Sequence, residues 1–348
     1  MRAMPSVDRK LLRAIGGSLA ALCLIALPDE CPAETKCRYV NLATLPISAV
    51  IPQPVVEGSL NGISTRMVLD TGASRTLLTR AQVERMGLSL RHSNKSALGI
   101  GGESVQYTTR IDEMSIGSVH GGRLTADVVW DLKANAPFGV IVGADFLFQS
   151  DLEIALAARQ LRFFRPLECD DAFLAYWDAD ASVIDVSIPP VPDGRPFFTV
   201  ELNGHKMRAI IDSGAYRSII ELAAAARAGV TPQSSGVVPT STVTGVGRHE
   251  SASWIAHFDS FAIGNETIKN VRIAIADIWG PALADSNNMR MAAFLREQPE
   301  MLLGTDFLRA HRVLFAMSQR KLYFSYVGGT VFEIESAARE IDSGKSAK

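Results

Sequence analysis

The sequence has few residues that could bind a metal or a cofactor. It contains 4 cysteines and 6 histidines in 348 residues, and no second Cys or His pair lies at the spacing of zinc ligands. A glycine-rich segment begins at Gly99, but Ser104 stands where the third glycine of a dinucleotide-binding fingerprint would be. We therefore predict no metal site and no cofactor.

The sequence also lacks an excess of positive charge. It has 35 Lys and Arg residues against 37 Asp and Glu, for a net charge of -2, and only 7% of its residues are aromatic. There is no basic run, so we predict no nucleic-acid partner. With 47% hydrophobic residues, the composition is that of an ordinary globular protein whose length suggests about two domains.

No hydrophobic run at the N-terminus reaches the length of a typical membrane span. The run from Ala14 to Leu27 has 14 residues, whereas a span needs about 20. Four basic residues precede this run and Pro-Asp-Glu ends it, which is typical of a secretory signal peptide. We predict cleavage after Ala33, export to the periplasm or the extracellular space, and no stable membrane span afterwards. An uncleaved membrane anchor is the alternative.

Two stretches of the chain repeat one another without a gap. Residues 54–88 and 196–230 share 12 identities in 35 aligned positions, which indicates an internal duplication. In each copy an apolar run leads directly into an acidic residue at a tight turn, Asp70 in the first and Asp212 in the second. A carboxylate at the end of a buried strand is costly unless it is hydrogen bonded or used. The repeat therefore predicts that two carboxylates are brought together.

The repeat continues beyond the two aspartates in the same order. Gly99-Ile100-Gly101-Gly102 corresponds to Gly245-Val246-Gly247, and Gly143-Ala144-Asp145-Phe146 corresponds to Gly304-Thr305-Asp306-Phe307. Similar apolar segments close the two copies. Each repeat unit is therefore a lobe of about 120 to 130 residues, the size of a small domain.

The motifs within each lobe resemble those of the retropepsin-like aspartic peptidases. Both lobes have an apolar pair before Asp-(Thr/Ser)-Gly-Ala, then a glycine-rich hairpin, then apolar-Gly-x-Asp-Phe-Leu. Ala73 and Ala215 follow the retroviral form of the first motif rather than the pepsin-like form with Ser or Thr. The resemblance covers most of both lobes, and the chain looks like a fused, exported, bacterial-type version of the retroviral dimer.

This resemblance implies an all-β fold with short helices, in which two closed β-lobes are related by a pseudo-twofold axis. It also implies that an extended peptide or protein substrate lies across that axis. The predicted organisation is a signal peptide (1–33), an N-terminal arm (34–53), a first lobe (54–166), an interlobe linker (167–195), a second lobe (196–328) and a C-terminal tail (329–348). We expect a monomer in which the two lobes pair, while pairing of lobes between two chains is the alternative.

By resemblance, Asp70 and Asp212 are the catalytic pair of an aspartic endopeptidase. Two carboxyls within hydrogen-bond distance share one proton, so one can activate water while the other protonates the substrate carbonyl. The supporting residues of the two loops are expected to set the turn and to hydrogen bond across the axis. These residues are Thr71, Gly72, Ala73, Ser213, Gly214 and Ala215.

Two glycine-rich segments resemble the tips of retropepsin flaps, mobile hairpins that close over a bound peptide. The first comprises Gly99, Ile100, Gly101 and Gly102, and the second Gly245, Val246 and Gly247. An ordinary glycine turn is the alternative, most of all for the second segment.

A charged pair in each lobe is a further hypothesis. Retroviral enzymes tend to place an acid after the catalytic loop and an arginine after the later glycine, and here the charges are exchanged. We therefore expect Arg75 to pair with Asp145, and Arg217 with Asp306, supporting each loop. Helix capping by the two aspartates is the alternative.

Two further questions stay open from the sequence. Cys37 and Cys169 remain after the predicted cleavage and flank the first lobe, so they form either a disulfide or two unpaired cysteines. The function also has an alternative, because the same fold could hold peptides by strand addition without cutting them. A Ser-His-Asp mechanism is disfavoured, since no nucleophile elbow is present.

Overall fold

Strands are the main secondary structure of the described residues, and short helices interrupt them. The structure is a computed structural model that describes residues 37–49, 51–117, 119–132, 136–189, 193–286 and 289–332. The predicted signal peptide, its cleavage site after Ala33 and the tail from 333 to 348 lie outside the described residues. Among the residues described, no helix is long and apolar enough to cross a membrane.

The strands of the first half are β1 (Arg38–Pro46), β2 (Val55–Leu60), β3 (Ile63–Leu69), β4 (Leu77–Thr79), β5 (Arg91–Gly99), β6 (Gly102–Ile111), β7 (Met114–Ile116), β8 (Val119–Gly121), β9 (Leu124–Val129), β10 (Val140–Val142), β11 (Asp151–Ala155) and β12 (Gln160–Leu167). Those of the second half are β13 (Ser182–Asp185), β14 (Phe198–Leu202), β15 (His205–Ile211), β16 (Ile219–Glu221), β17 (Val238–Val243), β18 (Ser251–Ile263), β19 (Glu266–Ala276), β20 (Met301–Leu303), β21 (His311–Ala316) and β22 (Lys321–Tyr326). The α-helices are α1 (Arg80–Met86), α2 (Ala144–Leu147), α3 (Leu222–Arg227), α4 (Gly280–Ser286), α5 (Met289–Arg296) and α6 (Thr305–Ala310).

Each lobe begins with a tight hairpin that the sequence predicts. Asn61-Gly62 joins β2 to β3 and Asn203-Gly204 joins β14 to β15, and all four residues have positive φ between 48° and 77°. Asn and Gly tolerate this left-handed conformation, and its twist matches that of the strands. The hairpins fix the register of β3 and β15, the strands that lead into the two aspartates.

The two lobes share one arrangement of strands around the aspartates. In the first lobe β10 lies between β3 and β4, parallel to the former and antiparallel to the latter, and β20 lies in the same way between β15 and β16. Each lobe has its own sheet. The sheet of the second lobe closes on itself where β14 pairs with β18, and β2 pairs with β7 at the equivalent place in the first lobe. The duplication seen in the sequence is therefore a duplication of topology, and the prediction of a mostly β acid-protease fold is confirmed.

A third sheet of six strands joins the two halves. Its order is β1-β12-β11-β21-β22-β13. The central pair is β11 with β21, one strand from each half, and Leu152 lies opposite Phe315 there. Both of these side chains are buried. The strands that join the halves, β11 and β21, directly precede the strands β12 and β22 that close the two repeats.

The N-terminal arm belongs to this third sheet. Strand β1 pairs antiparallel with β12, and Ala43 and Leu45 on it are buried in the main hydrophobic cluster. A disulfide joins Cys37, just before β1, to Cys169, just after β12. The described part of the arm therefore belongs to the folded body, and the disulfide fixes Cys37 to the edge of the sheet.

The sequence predicts short helices at 80–86, 221–228 and 289–297, and after the two Gly-x-Asp-Phe-Leu segments. Helix α1 has the predicted bounds, and the ends of α3 and α5 lie within one residue of theirs. The helices α2 and α6 lie on the Gly-x-Asp-Phe-Leu segments rather than after them. Helix α4 was not predicted, and it contacts β6 of the first lobe although it belongs to the second. Helix α4 lies in the connection between β19 and β20, which is longer than the equivalent connection between β9 and β10 in the first lobe.

Candidate active site

The two aspartates stand at equivalent strand ends. Asp70 follows β3, and its backbone N–H donates to the Val142 carbonyl at 2.9 Å; Asp212 follows β15 and donates to the Leu303 carbonyl at 2.8 Å. The apolar residues before each aspartate are buried, so the strand is anchored in the core and delivers its last residue to the cleft between the lobes.

The two loops are joined by reciprocal hydrogen bonds of Thr71 and Ser213. The Thr71 hydroxyl donates to the Ile211 carbonyl at 2.7 Å, and the Ser213 hydroxyl donates to the Leu69 carbonyl at 2.6 Å. Each hydroxyl oxygen also accepts the backbone N–H of the opposite residue at 3.0 Å. Both side chains are almost fully buried, so these bonds lock the loops in one relative position.

The two carboxyl groups face one another. Asp70 accepts the N–H groups of Gly72 and Ala73 at 2.9 and 3.0 Å, and Asp212 has the equivalent two bonds at 3.0 Å. A Cβ on Gly72 would lie 2.3 Å from the Asp212 carboxyl carbon, and the equivalent distance from Gly214 to Asp70 is 2.4 Å. Each carboxyl therefore packs against the glycine of the other loop, and no side chain larger than hydrogen fits there.

The environment favours a protonated form of the pair. Loss of solvent raises the pKa of Asp70, although the hydrogen bond from Asp212 and the two backbone N–H groups oppose this rise. Burial and the neighbouring charge of Asp70 raise the pKa of Asp212 well above its ordinary value. Because the two groups are hydrogen bonded, the pair titrates as one coupled unit.

The two predicted flap segments meet one another. The first is the turn between β5 and β6, and the second lies between β17 and β18. The Gly101 N–H donates to the Val246 carbonyl at 2.9 Å, and the His249 N–H donates to the Gly101 carbonyl at 2.9 Å. A Cβ on Gly247 would lie 2.1 Å from the Gly101 carbonyl carbon. The structure thus brings together two glycine-rich hairpins, one from each lobe.

The flap tips exchange apolar side chains between the lobes. Ile100 of the first lobe packs against a buried cluster of the second that includes Ile210 and Ile219. Val246 of the second lobe packs against a cluster of the first that includes Val68 and Leu77. Both clusters contain residues next to the aspartate loops, so each tip packs beside the aspartate loop of the opposite lobe.

An acidic side chain on helix α4 of the second lobe contacts residues beside both predicted flap segments. One Asp285 oxygen accepts the Glu103 N–H at 2.9 Å, and the other lies 2.9 Å from Nε2 of His249. Gly102, with φ +94°, leaves room for this approach, since a Cβ there would lie 2.4 Å from Asp285. The Glu103 N–H bond, together with His249, holds the pKa of Asp285 below its usual range.

The hypothesis of two Arg–Asp pairs is wrong. Arg75 pairs with Asp127 on β9 at 2.9 Å, and Arg217 donates to Thr240, Ser241 and Ser253. An arginine side chain is long enough to reach past the nearest acid, and here each points to the neighbouring strands of its lobe.

The two aspartates of those predicted pairs support the loops in another way. Asp145 accepts the N–H and the hydroxyl of Thr76, both at 2.8 Å. Asp306 accepts the same two groups of Ser218 at 2.9 and 2.7 Å. Neither aspartate is the N-cap of its helix, a position that glycine occupies. The equivalent hydroxyl positions 76 and 218, which were not among the predicted site residues, are detectable because both follow the loop arginine in the repeat.

A family model described as aspartyl protease matches the chain twice, over residues 56–146 and 198–307. The matched residues contain both aspartate loops and both flap segments, and together they cover more than half of the chain. No curated protein sequence gives a significant match to the chain.

Proposed function

The chain belongs to the aspartyl protease family, and we propose that it is an endopeptidase in which Asp70 and Asp212 activate one water molecule. The observation that carries this proposal is the hydrogen-bonded pair of carboxyls, each packed against the glycine of the opposite loop. Family membership supports peptide hydrolysis in general, while the roles of the individual residues are the proposal.

The proposed chemistry needs a pair that holds a single proton. The ionised carboxyl takes a proton from water as the oxygen attacks the substrate carbonyl carbon, and the protonated carboxyl gives its proton to the carbonyl oxygen. In the resulting tetrahedral diol, the carboxyl that took the proton from water gives it to the amide nitrogen, and the C–N bond breaks. A diol hydroxyl gives its proton to the other carboxylate as the carboxylic acid product forms, which restores the singly protonated pair. Burial raises the pKa of both carboxyls, which favours a form of the pair that holds one shared proton.

The flaps are proposed to hold an extended peptide. Their tips, around Gly101 and Gly247, must separate to admit substrate and can then bind its backbone from above. Opening removes Ile100 and Val246 from the apolar clusters in which they now pack. Apolar substrate side chains that take their places would restore the burial of those clusters.

Export is also proposed, and two features support it. The N-terminal sequence is typical of a signal peptide. A disulfide between Cys37 and Cys169 persists in an oxidising compartment and is rare in the cytosol. We further propose a monomer, because the loops of one chain supply both halves of the reciprocal bonds between Thr71 and Ser213.

The test is cleavage of a mixed peptide library by the purified protein from about pH 3 to 7. We expect cleavage by the parent and none by Asp70→Asn or Asp212→Asn, because an Asn–Asp pair cannot exchange the shared proton. Asp112→Asn is the matched control, since Asp112 forms an exposed ion pair with Arg123, and it should cleave as the parent does.

The pH dependence gives a second criterion. Backbone N–H groups donate to the two carboxyls, but Ala73 and Ala215 offer no hydroxyl that would further stabilise the ionised form. We therefore expect peptidase activity to be maximal at mildly acidic pH. A maximum below about pH 3 would contradict this reasoning. Binding of library peptides without cleavage under any condition would instead favour a peptide-binding protein.

A further inference from the structure

The residue just before each lobe reaches across to the opposite aspartate loop. Gln53 Nε2 donates to the Gly214 carbonyl at 3.5 Å, and Arg195 Nη1 donates to the Gly72 carbonyl at 3.2 Å. Positions 53 and 195 are separated by as many residues as the two aspartates, so they are equivalent in the repeat. One side of the pseudo-twofold axis thus carries a neutral amide, and the other carries a cation. Both positions lie outside the stretches that match the family.

The guanidinium of Arg195 is buried and held in a fixed position. The residue is 8% exposed, and its Nη2 donates to Asp193 and to the Gln298 side chain, each at 2.8 Å. Nε donates to the other oxygen of Asp193, and the charge lies over the Phe197 ring at 5.6 Å. A charge held in this way away from water acts over a longer distance than an exposed one.

This charge acts on the catalytic pair. Burial raises the pKa of both Asp70 and Asp212, and the positive charge of Arg195 opposes that rise at both carboxyls. Asp193 offsets part of the positive charge, because its carboxylate binds the guanidinium directly.

The other groups around Arg195 carry little net charge towards it. Gln298 and Phe197, which contact the guanidinium, are neutral. Behind Gln298, Arg208 donates to its backbone carbonyl at 2.8 Å, and this second guanidinium lies 3.6 Å from the carboxylate of Glu297. Its backbone N–H also donates to the carboxylate of Glu300, which Arg227 neutralises at 2.6 Å.

We propose that Arg195 is a positioning residue for the catalytic pair, whose charge, offset by Asp193, sets the pH range in which the pair holds one proton. It does this from the loop side of the cleft, through Gly72, without contact with the substrate. Its repeat partner Gln53 supplies the equivalent backbone contact but no charge. This inference rests on the proposed peptidase function.

The test compares Arg195→Gln with Asp193→Asn, which remove opposite halves of one ion pair. If the pair has only a structural role, both variants lose activity without opposite changes in pH dependence. If its charge acts on the aspartates, Arg195→Gln moves both limbs of the kcat/KM profile to higher pH. Asp193→Asn leaves the cation without its partner and moves both limbs to lower pH.

A second readout does not require turnover. Carboxyl ¹³C NMR of Asp-labelled protein follows the titration of the pair directly, with Asp70→Asn and Asp212→Asn used for assignment. If the parent cleaves no peptide, the proposed function fails, and the NMR titrations still decide whether Arg195 acts on the pair.

The proposal is supported if the limbs of the kcat/KM profile, or the NMR titrations, move to higher pH in Arg195→Gln and to lower pH in Asp193→Asn. It is overturned if both variants move in the same direction, or if Arg195→Gln titrates as the parent does. If neither variant folds, Gln53→Arg decides, since it adds a second cation and removes no ion pair. A kcat/KM profile whose limbs move to lower pH in Gln53→Arg supports the proposal, and an unchanged profile overturns it.

Discussion

Replacement of Thr71 by valine tests how far the reciprocal bonds hold the two loops together. Valine keeps the shape of threonine but has no hydroxyl, so the Ile211 carbonyl loses its donor at 2.7 Å and the Ser213 N–H loses its acceptor at 3.0 Å. Thr71 is 1% exposed, and water cannot easily replace these bonds. At about 1–3 kcal/mol for each buried polar group left without a partner, the loss is about 2–6 kcal/mol.

The chain itself supplies the matched control. Serine stands at the equivalent position 213, so Thr71→Ser keeps both bonds and loses one methyl group, which is worth about 0.8 kcal/mol. We therefore expect Thr71→Val to unfold at clearly lower urea concentration than Thr71→Ser, and to lose most of its peptidase activity because the carboxyls are no longer held face to face. Equal unfolding midpoints for the two variants would refute the reasoning.

The combined variant measures how strongly the two hydroxyls depend on one another. Ser213→Ala removes the same kinds of bond on the other side, and the two hydroxyls also lie 3.3 Å apart. Because the two residues share partners, Thr71→Val with Ser213→Ala should cost less than the sum of the single variants. A strictly additive cost would show that the loops are held independently.

Three further predictions concern stability and motion. Cys37→Ser should lower the free energy of unfolding by up to about 5 kcal/mol, because the bond to Cys169 spans 132 residues; an unchanged urea midpoint would contradict this. Burial raises the pKa of Asp212 well above its ordinary 3.8, so the folded chain keeps a proton that the unfolded chain releases, and stability falls as the pH rises above about 4. In urea titrations at about pH 4 and pH 7, the free energy of unfolding should therefore fall less for Asp212→Asn than for the parent. Equal decreases would refute the predicted direction of the pH dependence. Asp285→Ala should speed hydrogen exchange at the Glu103 amide, which it binds at 2.9 Å, while exchange at parent rates would show that the flap is held by other contacts.

The turn at each of the two aspartates could be predicted from the sequence because its geometry is local, and the repeat predicted that the two would meet. An apolar strand ending in Asp-(Thr/Ser)-Gly-Ala fixes its own turn, and the glycine has to admit the carboxyl of the other loop. The Asn-Gly hairpins before Asp70 and Asp212 were predictable for the same reason, since positive φ at both positions is a property of those two residues.

The partners of long side chains could not be predicted, because they depend on strand pairing. Arg75 reaches Asp127 only since β4 lies parallel to β9, a pairing between residues about fifty positions apart. The short hydroxyls of Thr76 and Ser218 cannot reach so far, and they bind the acids that were expected to bind the arginines. The third sheet and the contact of α4 with the first lobe are likewise products of tertiary packing.

The exchange of apolar residues between the flap tips has a consequence for the rate of substrate entry. Ile100 cannot leave the second lobe without breaking the backbone bonds that also hold the tip around Val246. The two hairpins therefore open together or not at all, and the barrier to opening contains the burial of both side chains. For the proposed peptidase we therefore expect opening, a step common to every peptide, to limit turnover of a good substrate. Changes of sequence at the cleavage site should then alter affinity more than maximal rate.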